Sequence, residues 1–121
     1  DFYQRVDDPA MQMMIMLLPS IAERIDSYDN LLDFGAGPTI HVSVVFRNKV
    51  NNIYLADYLP QNRNELSRWA DGKSTFNWTP ALKMIASVEG SGWLQLEEME
   101  QYTKSKVIIS ILSIKCCNFL K

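Results

Sequence analysis

Asp33, Gly35, Gly37 and Asp57 are the residues of this chain whose types and spacing point to chemistry. Leu31-Leu32-Asp33-Phe34 is an apolar run that stops in Gly35-Ala36-Gly37-Pro38-Thr39, and Ile53-Tyr54-Leu55-Ala56 is a second that stops in Asp57-Tyr58. A strand ending in Gly-x-Gly lets the backbone pass close to a ligand, because glycine has no Cβ and tolerates positive φ. The helix after such a turn aims its first N–H groups at that ligand. Asp57 stands 22 residues beyond Gly35, close to the ~20-residue interval at which a carboxylate on the next strand grips a ribose diol. The pattern predicts a nucleoside-type ligand lying across two strand ends.

A dinucleotide-binding loop that began at Gly35 would place its third glycine at position 40, where this chain has Ile40. That glycine permits close helix-to-strand packing beneath a pyrophosphate, so a cofactor without pyrophosphate fits better. S-adenosylmethionine is one, with a ribose for a carboxylate and a zwitterionic amino acid for the glycine turn. Asp33 can accept a hydrogen bond from its ammonium group. Each residue also has a plainer reading: Gly35 and Gly37 as shapers of a tight turn, Asp57 as a solvent-facing cap, and His41 as a packed or surface helix residue.

Leu32-Asp33-Phe34-Gly35-Ala36-Gly37-Pro38-Thr39-Ile40 and Asp57-Tyr58-Leu59-Pro60-Gln61-Asn62 together resemble the nicotinamide, phenylethanolamine and indolethylamine N-methyltransferase family. The stretch from Trp69 through Phe76-Asn77-Trp78-Thr79-Pro80 to Val88-Glu89-Gly90 also resembles it, as does Phe2-Tyr3. The resemblance runs over residues 2–106 and implies a Rossmann-like class I methyltransferase fold using S-adenosylmethionine. By this resemblance Gly35, Ala36, Gly37 and Thr39 form the turn beneath the methionine part, Asp57 and Asn62 hold the ribose, Tyr58 borders the adenine and Tyr3 closes over the cofactor. His41 stands where relatives often carry a tyrosine that reaches the cofactor. The implied reaction is direct methyl transfer to the nitrogen of a small amine or pyridine, which needs orientation and electrostatics but no metal or protein nucleophile. No catalytic residue is singled out. The Cys-Asp-Val segment of relatives has no clear counterpart, since Cys117 stands in Ser113-Ile114-Lys115-Cys116-Cys117-Asn118 where the carboxylate would fall.

The elements that must position these residues follow from pattern. Asp8 before Pro9 predicts a helix start, running to about Ile25 with Pro19 kinking or splitting it, and Met11, Met13, Met14 and Met16 packing along it and not forming a binding surface. Strands are predicted over Leu31–Phe34, Ile53–Asp57 and Val107–Ile114, and helices over Thr39–Phe46, Gln61–Ala70, Thr79–Gly90 and Leu94–Thr103. Glu97, Glu98 and Glu100 read as a solvated helix face, and Trp69, Trp78 and Trp93 as core or partly buried anchors. The alternation predicts an α/β fold with a parallel sheet, flanking helices and right-handed crossovers. Residues 1–28 read as an N-terminal helical cap, and 29–121 as the first half of a methyltransferase sheet, so that the single domain is expected to be truncated.

With 121 residues, 47% of them hydrophobic, the chain has material for a core. Its net charge of −2 offers no electrostatic footprint for nucleic acid or an anionic membrane. Met11–Leu18 is too short to span a bilayer and lacks the flanks of a targeting signal. Adjacent Cys116 and Cys117 suit neither a bridge of good geometry nor a metal quartet. A reducing, cytoplasmic setting and a small-molecule partner are expected. The alternative to an active N-methyltransferase is an inactive methyltransferase-like fragment that binds cofactor or another protein through an uncovered sheet edge. A dehydrogenase is disfavoured by the missing third glycine.

Overall fold

The structure, a computed structural model, describes residues 8–110. Helix α1 (Pro9–Arg24) opens on the Asp8 cap, whose carboxylate accepts from the Ala10 N–H at 3.3 Å. Of the kink or split expected at Pro19, the split does not occur, since the helix is continuous through it. Met11, Ile15, Leu18, Pro19 and Ala22 recur at helical spacing and face the core. The same period turns Met13, Met14 and Met16 outward, at 63%, 48% and 58% exposed, so only Met11 packs as expected.

Strand β1 (Tyr28–Phe34), helix α2 (His41–Phe46) and strand β2 (Val50–Ala56) follow. Both strands reach further toward their N-termini than their apolar runs predict. Polar side chains extend the ladder there: Asn51 donates to Asp29 at 3.1 Å and Asn52 to Asn30 at 3.0 Å. Helix α3 (Pro60–Ala70) runs to a turn at Gly72, and helix α4 (Thr79–Glu89) ends on Gly90 in the left-handed region, φ 78°. A short 3₁₀ turn (Trp93–Gln95) precedes helix α5 (Leu96–Lys106), which passes directly into strand β3 (Val107–Ser110). The predicted extension of β3 to Ile114, and Cys116 and Cys117, lie outside the described residues.

The sheet is parallel, in the order β1-β2-β3, with Leu31 beside Ile53 and Ile53 beside Val107. Both crossovers step the same way, so right-handed connections put their helices on one face. Helix α1 packs against α2 and α4 on that face. Ile53 and Leu55 are fully buried there, with Leu31, Val107 and Ile109 packed against the same cluster. The alternate residues point the other way: Tyr28 is 60% exposed, Phe34 67% and Ile108 42%. A second face of the sheet is therefore largely uncovered by the described elements, although parallel sheets are ordinarily buried on both.

Polar contacts tie the helical layer together. Arg47 at the end of α2 meets Glu89 of α4 in a bidentate pair at 3.0 and 2.8 Å. Trp69 of α3 donates to Glu100 of α5 at 2.7 Å, so Glu100 is a structural partner and not a solvated residue like Glu97 and Glu98. Trp69 and Trp78 are buried anchors as expected, but Trp93 lies on the surface, held by Ser87 and with Lys83 over its ring.

The two faces predict contrasting costs. Ile53→Ala should destabilise the chain by about 2–5 kcal/mol, because it opens a cavity in the packed layer. Ile108→Ala should cost well under that, near the ~0.5 kcal/mol typical of surface changes. Urea midpoints at unchanged slope measure both, and equal losses would show that the second face is covered in solution.

Candidate functional site

The C-terminal ends of β1 and β2 and the turns after them enclose a cleft of about 430 Å³. Its walls include Asp33, Gly35, Ala36, Gly37, Thr39, His41, Asp57 and Asn62, eight of the ten residues that the sequence marks out. Tyr58 lies next to it, 76% exposed, and Tyr3 falls outside the described residues. Met11, Met14, Val42 and Leu59 complete the wall without any motif to announce them. Helical spacing from the Asp8 cap is the only signal that could have brought Met11 and Met14 forward.

The turn after β1 is shaped by two glycines with positive φ, 70° at Gly35 and 63° at Gly37. A Cβ at either would meet open space, so the requirement for glycine is backbone conformation and not close packing. The amides of the turn itself are occupied within the protein. Gly35 and Ala36 both donate to the Ala56 carbonyl, at 2.8 and 3.1 Å, and Gly37 donates to the Asp57 carboxylate at 2.8 Å. The Thr39 hydroxyl is likewise spent on the Ala36 carbonyl, 3.0 Å away.

Asp57 is buried rather than solvent-facing, and its carboxylate is the centre of the site. One oxygen accepts from Gly37; the other accepts from the Leu59 N–H at 2.8 Å and from the Asn62 amide at 3.1 Å. Burial pushes its pKa up, but hydrogen bonds from Leu59, Gly37 and Asn62 and the charge of Arg63 outweigh that and hold it below the usual carboxylate range. Arg63, which the sequence reading passed over, fixes the turn from outside by donating to the carbonyls of Asp57 and Tyr58 at 2.9 and 2.8 Å. A carboxylate offers about four acceptor sites, so three internal bonds leave room for a ligand hydroxyl.

Asp33 is in the opposite condition. Burial, and then repulsion from Asp57, raise its pKa above the ordinary value. His41 is buried with neither ring nitrogen paired, and burial lowers its pKa, so the ring is neutral near pH 7. A cleft with a hydrogen-bonded carboxylate, a second carboxylate short of partners and an unpaired imidazole is equipped to hold a polar ligand bearing a cation. Among the described residues no cluster of side chains has the makings of a metal site, and no helix is long and apolar enough to cross a membrane.

The two carboxylates predict stability changes of opposite sign. The depressed pKa of Asp57 contributes stability above its unfolded value of ~3.9, lost as pH falls through the lower folded value. Asp57→Asn should therefore lower the urea midpoint at neutral pH, by about 1–3 kcal/mol for weakened buried bonds. The raised pKa of Asp33 means that its charge opposes folding at neutral pH, and Asp33→Asn should raise the midpoint. Shifts in the same direction would refute this account of the pair.

The model of the NNMT/PNMT/TEMT family matches residues 1–118. The chain is 34% identical to a nicotinamide N-methyltransferase of Caenorhabditis elegans over 93% of its own length and 41% of that protein. It is 34% identical to an indolethylamine N-methyltransferase of Oryctolagus cuniculus over 66% of the chain and 32% of that protein. A phenylethanolamine N-methyltransferase of Macaca mulatta is 31% identical, over 64% of the chain and 27% of that protein. The chain thus spans less than half the length of these relatives. With its glycine turn, its strand-end aspartate and its parallel sheet, it belongs to the NNMT/PNMT/TEMT family.

Proposed function

We propose that this chain forms the cofactor-holding part of an S-adenosylmethionine-dependent N-methyltransferase acting on the nitrogen of a small amine or pyridine. The observation that carries the reading is the cleft at the ends of β1 and β2, where Gly37, Asp57 and Asn62 are joined by hydrogen bonds and His41 is buried without a partner. Family membership supports the reaction class, as do the names of the relatives, which are N-methyltransferases of nicotinamide, indolethylamine and phenylethanolamine.

The residues suit the group. Asp57 has acceptor capacity left for a ribose hydroxyl, and Asn62 retains an amide oxygen and a second hydrogen beside it. Asp33, whose charge burial disfavours, gains from an ammonium placed against it. Tyr58, exposed at the mouth, is available to the adenine, as Tyr3 is by resemblance. Bound there, the cofactor supplies a sulfonium methyl whose transfer to nitrogen releases a neutral thioether. The chain's own part is to orient that group and keep water from the amino-acid end, for which Met11, Met14 and Val42 provide an apolar wall. In this reading the protein works in the cytoplasm on a small-molecule acceptor, without a nucleic acid or membrane partner.

A second reading, a cofactor-binding or protein-interaction module without transferase activity, draws on the exposed sheet face at Tyr28, Phe34 and Ile108. Titration with S-adenosylhomocysteine tests the first element common to both. Saturable binding is expected, weakened about tenfold or more by Asp57→Ala and by Asn62→Ala, as loss of charge-assisted bonds implies. Binding indifferent to both changes would remove the site assignment. Methyl transfer to a panel of amines and pyridines then separates the readings, because the module binds without turnover.

A further inference from the structure

His41 alone among the side chains that line the cleft buries its polar atoms without a partner. It is 5% exposed, on the first turn of α2. Leaving a buried polar group unpaired is costly, so the ring is poised to gain from any ligand that meets it. What it would meet follows from elimination. The amides of Gly35, Ala36 and Gly37 and the Thr39 hydroxyl are committed within the protein, and the Asn62 amide is turned to Asp57. Asp33 accepts but cannot donate when ionised, and repels an anion. The second amide hydrogen of Asn62 stays beside Asp57, at the part of the cleft given to the ribose, so a zwitterionic amino-acid end finds Asp33 as acceptor for its ammonium and His41 as side-chain donor for its carboxylate.

Resting on the cofactor reading above, we propose that His41 receives the carboxylate of the cofactor's amino-acid end and takes up one proton from solvent as it does so, coupling cofactor affinity to pH. The empty-handed ring is neutral because burial disfavours its charge. A carboxylate brought against it reverses that balance, so imidazole plus a proton becomes imidazolium paired with carboxylate. The other charges around the ring do not supply such a partner. Asp33 and Asp57 are the ionisable side chains that share the cleft wall with it, the first claimed by the ammonium and the second by its three bonds. Helix α1 brings Met11 and Met14 to the same wall. At the far end of α2 Arg47 is closed on Glu89 of α4, and on α5 Glu100 is held by Trp69 and Lys104 while Lys106 donates to backbone carbonyls.

Calorimetric titration of the full chain with S-adenosylhomocysteine and with 5′-methylthioadenosine, which lacks the amino-acid end, tests this between pH ~8 and ~6, where histidine changes charge. The expected result is an affinity for S-adenosylhomocysteine that rises as pH falls, with a limiting slope of about tenfold per pH unit for one linked proton. Heats in buffers of different protonation enthalpy should show uptake approaching one proton. Methylthioadenosine should bind without either effect. His41→Gln and His41→Phe should bind S-adenosylhomocysteine more weakly and with a flat profile, their folding checked by circular dichroism. Affinity that falls on acidification, as protonation of Asp33 alone would cause, overturns the proposal, and so does a slope that survives both folded variants or appears with methylthioadenosine. Failure of the folded wild-type chain to bind either compound overturns the cofactor reading itself.

Discussion

The carboxylate of Asp57 is the constraint on which the site is built. It reaches back across 20 residues to the Gly37 amide and forward to Leu59 and Asn62, so the turn after β1 and the turn after β2 share one anchor. The hydrogen bonds from Leu59, Gly37 and Asn62, with the charge of Arg63, outweigh the burial that opposes its charge, which is why the group is held ionised rather than neutralised. Parallel pairing of Phe34 with Ala56 brings the two strand ends level, and the Ala56 carbonyl takes both the Gly35 and Ala36 amides. The ladder and the carboxylate thus specify the same geometry by independent bonds.

That solution leaves a conflict beside it. Asp33 sits on β1 where burial and the neighbouring Asp57 both oppose its charge, and His41 lines the same cleft with its nitrogens unpaired. Neither arrangement serves the free fold. Local costs of this kind gather at functional sites, where a ligand supplies what the protein withholds. A cation relieves Asp33, and a hydrogen-bonding group relieves His41. The bonding pattern also divides the labour: the amides of Gly35, Ala36 and Gly37 stabilise the turn, and the side chains of Asp33 and His41 are left for the ligand.

Much of this was legible in the residues. The glycine turn and the aspartate 22 positions on marked the two strand ends, because strand and crossover lengths leave little freedom in where the second end falls. Capping chemistry located α1 and α4, through Asp8-Pro9 and Gly90. What escaped depends on contacts that composition does not encode. Pro19 interrupts one helical hydrogen bond without ending α1, since its ring is buried with Ile15 and Ala22 in the packed stripe. Met13 and Met16 look like Met11 in composition and differ from it only in phase around the helix. The commitment of the Gly35, Ala36 and Gly37 amides could not be seen before the Ala56 carbonyl and the Asp57 carboxylate were placed beside them.

The one-sidedness of the sheet bears on how much structure the cleft requires. Its walls come from the ends of β1 and β2, from α2 and from the first turns of α1, with Asn62 contributed by α3. Each of these packs on or beside the covered face, where Ile53 and Leu55 are buried beneath the helices. The exposed face at Tyr28, Phe34 and Ile108 contributes no residue to the cleft. Site geometry and the covering of the second face are therefore separable: the first is set by hydrogen bonds and packing within residues 8–110, while the second bears on solubility and total stability through apolar area left in water. A cofactor bound in such a cleft would stabilise the covered layer by mass action, drawing on bonds to Asp33, His41 and Asp57 that do not involve the exposed face.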